Sequence, residues 1–497
     1  MSRYLPHRLI AMAALATLAG CAQLPPPAAL GAQDHLDRVA ADRAAVVRNV
    51  VPVGPTLGLD EAIARALKYN LDRRARLLEQ AMALQQYDAS GHDMLPRLVA
   101  AAGYSARDSD RLSRSVNAVT GQPLGVDPSV SQERQHTLTQ LDLTWNLLDY
   151  GLARYNTQQA GDRVLAAAER RRKATHLLVQ DVRVAYWRAA SAQRLRGEVR
   201  ETLRLADEAM ADARQAESER LRAPLDALRY QRQLTENMRL LESIEQELAT
   251  ARYELAGLVN MPVMAEVALD AAATGATPVG TDLLATPVEA MEDQALAQNA
   301  DLREQAYQRR IAATEVRKVL ARAYPNLSFS LGARYDTDSY LVHKSWHEAG
   351  LQASYNLFNL LSVPAQQRAA EAGVALADQR RLAAHVAVIT QVHVAREQLA
   401  GARLQFQRAD ALWQLDTRIM EQTLRREQAQ AGSKLERVAA QTTSIVSLLR
   451  RYQALAQMHA ATSRLQATLG IDPLPDSSDD LSLDQIREQV RSRLLAG

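Results

Sequence analysis

Apolar residues recur along much of the chain in a four-three alternation. Leu178, Val182, Ala185, Ala189, Ala192, Val199, Leu203 and Ala206 follow it, broken only at Arg196, and so do Val388, Val392, Ala395, Leu399, Ala402, Phe406, Ala409 and Trp413. This is the seam of long helices packed side by side. A helix from 157 to near 216 would be roughly 90 Å long at about 1.5 Å per residue, far more than the diameter of a globular domain. Each helical stretch breaks near its middle. Gly432 suits a helix C-cap, Ser433 to Glu436 fits a capping box, and Pro224 suits the first turn of a returning helix.

Four short segments have a period of two instead. After Pro325, Leu327, Phe329, Leu331 and Ala333 alternate with Asn326, Ser328, Ser330 and Arg334, and Leu98, Ala100, Ala102 and Tyr104 are spaced likewise. Leu141, Leu143, Trp145 and Leu147 correspond to Leu351, Ala353, Tyr355 and Leu357, opposed by Asp142, Thr144, Asn146 and by Gln352, Ser354, Asn356. Strands of about ten residues with one apolar and one polar face have the length and pattern of membrane β-strands, and also those of a half-buried soluble sheet.

The pattern is written twice. ALKYN at 66–70 answers ALAQN at 295–299, and Gly103 answers Gly332, at an offset of 229; LDLTWNL at 141–147 answers LQASYNL at 351–357 at 210. Pro262 and Pro473 end the returning helices. The unit is therefore helix, strand, polar loop, strand and long helical hairpin, repeated once. The repeats are expected at 57–262 (strands about 96–105 and 137–148, hairpin 155–262) and 287–473 (strands about 325–335 and 349–359, hairpin 363–472). The long first loop, about 106–135, accounts for the change of offset.

The N-terminus changes the setting. Arg3, His7 and Arg8 precede an apolar run, Leu9 to Ala19, too short to span a bilayer as a mature helix. It reads as a signal peptide over 1–20. Leu18-Ala19-Gly20-Cys21 resembles a bacterial lipobox, so Cys21, the only cysteine, is the expected lipidation site. Each buried acyl methylene contributes about 0.8 kcal/mol, and two or three chains anchor a protein stably. Ala22 rather than aspartate follows, consistent with passage to the outer membrane, and Pro25 to Pro27 read as an extended tether.

In a membrane, four strands cannot close a barrel, and an open edge there leaves backbone groups unpaired. Two copies would supply eight strands and three would supply twelve. The duplicated order, the lipobox, the start Leu57-Gly58-Leu59-Asp60-Glu61-Ala62 and the second strands TWNLLDYG and SYNLFNLL resemble the TolC family of outer-membrane efflux channels, in its lipoprotein branch. The resemblance covers Cys21 to about Pro475. It implies a mainly α fold with membrane β: a homotrimer whose twelve-stranded barrel is continued by a long periplasmic α-helical barrel. It also implies a belt built from about 28–56, within a tether and equatorial segment over 21–56, and from 263–286 and 474–497. The turn after the second strand departs from the family's aromatic-Asp-Gly-Gly pattern at Asn359 to Ser362.

The function implied is a passive exit duct for small molecules such as drugs. Its partners would be a periplasmic adaptor, an inner-membrane transporter and outer-membrane lipid. Gate or adaptor contacts are expected at the hairpin tips, at Leu221, Leu225, Asp226, Ser433, Leu435 and Glu436, with salt links to Arg222, Arg425 or Arg426. Trp145, Tyr355 and Phe329 are expected to face lipid. Two alternatives remain: the outer-membrane duct of a type I protein secretion system, and a non-conducting coiled-coil lipoprotein.

Composition bears on what else is possible. Aromatics at 4% and a net charge of +2 favour long helices and give no nucleic-acid footprint. The basic run Arg170 to Lys173 reads as a solvated helix face, with anionic head groups as the alternative. No phosphate-cradling loop, nucleophile elbow or metal-spaced Cys/His cluster is present, so no enzyme, metal site or cofactor is expected. His343 and His347 read as isolated loop histidines.

Overall fold

A computed structural model describes residues 29–125, 127–219, 223–265, 267–270, 281–475 and 480–495. The chain divides into two units, 1–52 and 53–497. Within the first unit, helix α1 (Ala32–Val47) starts after Gly31, in extended backbone, and buries none of its residues.

The second unit repeats one order of elements. Its first half runs β1 (Thr56–Leu57), α2 (Leu59–Tyr69), α3 (Leu71–His92), β2 (Arg97–Ala106), a small hairpin β3 (Leu112–Ser113) and β4 (Ser129–Val130), β5 (Gln135–Asn146), α4 (Leu147–Ser218) and α5 (Pro224–Leu258). After β6 (Ala268–Leu269) and α6 (Thr281–Ala285), the second half runs α7 (Val288–Gln298), α8 (Ala300–Ala321), β7 (Asn326–Asp336), β8 (Ser345–Ser354), α9 (Asn359–Gln428) and α10 (Lys434–Thr468). Helix α11 (Leu483–Val490) and a π-helical turn (Arg491–Leu495) follow.

The repeated motifs have repeated jobs. Asn70 caps α3, its Oδ1 accepting from the Arg73 amide, while its Nδ2 donates to the Leu258 carbonyl at 3.2 Å. Asn299 caps α8 and donates to the Thr468 carbonyl at 3.1 Å. Each asparagine thus caps one helix and fastens it to the end of its own returning helix, which is why ALKYN and ALAQN both end in Asn. Those returning helices end alike. Asn260 (φ 50°) and Gly470 (φ 71°) are left-handed, and the amides of Met261 and Ile471 reach back to Ala256 and Gln466, both at 2.9 Å.

The sheet has the order β2-β5-β7-β8, antiparallel throughout, so each half contributes one hairpin and both outer strands are unpaired edges. Strand β8 ends where its partner runs out. Asn326↔Ser354 is the last pair, and Pro325 next to it has no N–H to extend the ladder. Tyr355, expected within a strand over 349–359, is therefore one residue past its end, and the loop between β7 and β8 is shortened to 337–344.

The core lies where α2 packs under α4, α10 and the C-terminal segment. Leu57, Ile63, Leu67, Val182, Trp187, Val392, Leu465 and Val490 are buried there together. The predicted seams are its spine, with one change. Arg196 points outward, and Leu195, one position earlier and fully buried, keeps the seam continuous, because a helix allows a step of three as well as four. The C-terminal segment is fastened by charge: Arg487 and Arg491 donate to Asp60 at 2.7 and 2.6 Å. These bonds outweigh the opposing effect of burial, which is the largest single influence, and keep the Asp60 carboxyl below its usual range.

Candidate functional site

The sheet separates two chemistries by strand parity. Along one row, Trp145 pairs with Phe329 and Phe329 with Leu351; along the next, Leu98 pairs with Leu143, Leu143 with Leu331 and Leu331 with Ala349. Trp145 and Phe329 are 40% and 44% exposed, so among the described residues this apolar face is left largely open. The opposite face carries Asp142, Asn146, Ser328, Arg334 and Glu348. There Arg334 lies 3.2 Å from Glu348 and 3.7 Å from Asp142, and the Ser328 hydroxyl donates to Asn146 at 2.5 Å. At the loop end, His136 Nδ1 meets Asp336 at 2.8 Å and Asp338 accepts from the Glu133 amide, tying the loop of one half to that of the other.

At the other extreme are the hairpin tips. Pro224 occupies the first turn of α5, where its missing N–H costs nothing. Leu225 and Asp226 are exposed beside it, and Asp226 faces Arg229 at 3.6 Å, an i,i+3 pair on its own helix. Leu221 and Arg222 lie outside the described residues. At the second tip the capping box is complete: Ser433 Oγ accepts from the Glu436 amide and Glu436 Oε2 from the Ser433 amide, both at 3.2 Å.

One expectation for this tip changes. Helix α9 ends at Gln428, and the left-handed residue is Gln430 (φ 58°), not Gly432. Gly432 matters for closeness instead, since a Cβ there would come within 3.3 Å of the Glu427 amide nitrogen. The tip also carries salt links that were not expected, while Arg222 lies outside the described residues. Lys434 binds Asp212 on α4 at 2.6 Å, and Arg437 binds Glu427 at 3.2 Å, while Arg426 donates to the Ala431 carbonyl. Leu435 packs with Met210, Leu234 and Val438, joining the second tip to the first hairpin. The structure thus brings Ser433, Leu435 and Glu436 together in packed or capped positions, and leaves Leu225 exposed and Asp226 exposed beside Arg229. Cys21 is outside the described residues.

Between sheet and tips lies a polar system that the sequence reading missed. The basic run is not merely solvated: Arg170 meets Glu304, Lys173 meets Asp301, and Arg172 bridges Glu169 and Asp472. Burial pushes the Asp472 carboxyl up, but His176 and Arg172 more than offset it and hold it below the usual range. Deeper in, Arg183 is completely buried and donates to Ser463, Gln466 and the Leu494 carbonyl. Desolvation lowers it to about 10. His459, also fully buried, stacks on Trp187 at 5.3 Å. Burial first and the Arg183 charge second lower it to about 3, so it is neutral at physiological pH. The available signal was polar residues standing inside an apolar seam. Among the described residues no cluster could hold a metal ion, and no helix is long and apolar enough to cross a membrane, which leaves the sheet untouched.

Residues 62–261 match the family model described as outer membrane efflux protein. The matched span is the first repeat almost end to end. The second repeat lies outside that span, and there the likeness is one of fold. Comparison with curated protein sequences gives no match. Among solved structures, the outer-membrane channel OprN has 18% identity and a TM-score of 0.63 over 83% of this chain and 89% of that one. CmeC of Campylobacter jejuni, an outer membrane channel, has 13% identity and a TM-score of 0.64 over 87% and 89%. MtrE of Neisseria gonorrhoeae, solved in an open state, has 16% identity and a TM-score of 0.58 over 84% and 91%. At these identities the likeness speaks for the fold, and it extends over both repeats where the family model covers one. The fold is thus that of outer-membrane channels, and the first repeat also matches the efflux-protein family model.

Proposed function

We propose that the protein is the outer-membrane exit duct of a tripartite efflux assembly. Three copies supply twelve strands to a barrel, and the long hairpins continue it as a periplasmic tube. The carrying observation is the four-stranded sheet: two-faced, open at both edges and joined to helical hairpins twice over. Its β5–β7 ladder joins one repeat to the next, and the same ladder between β8 and β2 of a neighbouring copy would leave no edge. Trp145, Phe329 and Tyr355 are assigned to the lipid side, and Arg334, Asp142 and Glu348 to the lumen.

Acylation at Cys21 adds a membrane anchor. The pump and adaptor supply energy and cargo selection, and the duct contributes gating at its tips. Asp226 is the strongest gate candidate, because it is exposed and held by one long contact, whereas Glu436 is committed to its cap. Single-channel recording in planar bilayers tests the reading. Wild-type protein should conduct, and Asp226→Lys should shift selectivity towards anions. A purified, folded protein that never conducts would refute the duct.

A further inference from the structure

The inner junction of the chain, where α4 meets α10, encloses a positive charge that no acid among the described residues balances. Arg183 and Trp187 stand four apart on α4, and His459 and Ser463 four apart on α10, so each pair shares one face of its helix. Two contacts join the pairs like rungs. Arg183 Nη1 donates to Ser463 Oγ at 2.6 Å, and the Trp187 and His459 rings stack with centroids 5.3 Å apart. Arg183 and His459 are 0% exposed and Trp187 is 1% exposed, so water outside the fold reaches none of them.

The hydrogen bonds here are one-sided. Arg183 also donates to Gln466 Oε1 at 3.1 Å and to the Leu494 carbonyl at 3.0 Å, so all of its acceptors are neutral. Burial alone acts on its guanidinium, with no neighbouring acid to offset it. Among the described residues the Arg183 Nε–H, the Trp187 indole N–H and both ring nitrogens of His459 are left without a partner. A neutral imidazole carries one N–H and one lone pair, so three buried donors stand beside a single spare acceptor. Buried donors without acceptors, and a buried charge without a counter-charge, are among the most costly arrangements a protein interior can hold.

The arrangement belongs to one repeat. Shifted by 210, Arg183 and Trp187 become His393 and Glu397, and His459 and Ser463 become Ala249 and Tyr253. His393 is exposed and meets Glu292 at 2.7 Å, so the equivalent junction of the other repeat repeats neither the buried cation nor the ring stack.

We propose that the α4–α10 junction binds a small inorganic anion of halide size, such as chloride, through the Arg183 Nε–H, the Trp187 indole N–H and the His459 ring N–H. A species that only accepts hydrogen bonds matches a site made of donors, and one negative charge matches one buried guanidinium. Water matches less well, since its own two protons would find only the second nitrogen of His459. The role of the anion is structural. By neutralising Arg183 it secures the Leu494 carbonyl, and with it the C-terminal segment, against α4 and α10.

Bromide is the probe, because its anomalous scattering separates it from water. Crystals of the purified protein grown in bromide should show a peak beside Arg183 Nε and Trp187 Nε1. In solution, with gluconate replacing chloride at constant ionic strength, the thermal midpoint should rise as chloride increases. Trp187→Phe keeps a ring and removes one donor to a charge, so it should need about tenfold more chloride for the same rise. Arg183→Met should abolish the rise; should that variant not fold, Trp187→Phe decides alone. A junction without a bromide peak, or a wild-type midpoint equal in chloride and gluconate, would overturn the proposal. A peak that Trp187→Phe leaves unchanged would overturn it too, as an adventitious ion only.

Discussion

Helices α4 and α9 occupy the same place in their repeats and are 72 and 70 residues long, yet α4 buries 27 residues and α9 seven. Neighbours explain this: α4 is flanked by α3, α5, α8 and α10, whereas α9 touches α10, α8 and the short α6 and α7. The side chains agree. Where α4 has Ala166, Arg172 and His176 packed or paired, α9 presents Leu376, Leu382 and Val386 to solvent. In the proposed assembly the bared surface of the second half is where a neighbouring copy would pack. Exposed leucine and valine in a row along a helix otherwise invite aggregation.

The comparison can be broken most sharply at the inner junction. Trp187→Ala removes a fully buried ring and should cost about 3–5 kcal/mol, read as a lowered denaturant midpoint. Its duplicate, Glu397→Ala, should leave the isolated chain's midpoint unchanged and weaken assembly alone. A comparable loss from both would mean that the two positions are not inequivalent in the way described.

Acid should distinguish the junctions next. His459 has a folded value of about 3 against an ordinary 6.5, so between those limits the unfolded chain binds the extra proton. Its contribution is fully present above pH 6.5 and is lost as the pH falls towards 3, at up to about 1.4 kcal/mol per pH unit. Stability measured from pH 7 to 4 should show this slope, and His459→Leu should flatten it. Ala249, its duplicate, gives that junction no such dependence.

Smaller effects test the likeness of the halves. Gly470→Ala puts a side chain on left-handed backbone, at roughly 1–2 kcal/mol, and drives a Cβ to 2.6 Å from Gln298. Asn260→Gly, at the equivalent turn, keeps a residue that accepts left-handed backbone and should cost less than Gly470→Ala. Asn70→Ala and Asn299→Ala should cost a similar amount each, about 1 kcal/mol for a lost cap. Thermal unfolding of the four variants checks both statements. The smallest expected change is in Asp226→Ala: a long, exposed pair contributes less than about 0.5 kcal/mol, so any change in conductance there would be functional, not structural.

Much of this was legible in single residues because it depends on local periodicity. The four-three seam, the two-residue alternation, the proline at 224 and the Ser433–Glu436 box each state a backbone preference that needs few distant contacts. The strand end at Ser354 was not legible, since it is set by Pro325 on the neighbouring strand. Nor was the pairing of the basic run, because Arg170, Arg172 and Lys173 find their acids at 304, 472 and 301. At the tips, sequence proximity did not show that Lys434 reaches Asp212 on another helix or that Arg437 reaches Glu427, since helix packing brings these together.

By itself, the sequence determined that this chain is a unit written twice, helical hairpins joined to two-faced strands, because periods of 3.5 and 2 and a constant offset survive without knowledge of any contact. Only the tertiary structure decided which of two equivalent surfaces is buried and which is open. That choice depends on which helices lie next to each other: the same seam is a buried core around Trp187 in one repeat and an exposed surface at Glu397 in the other.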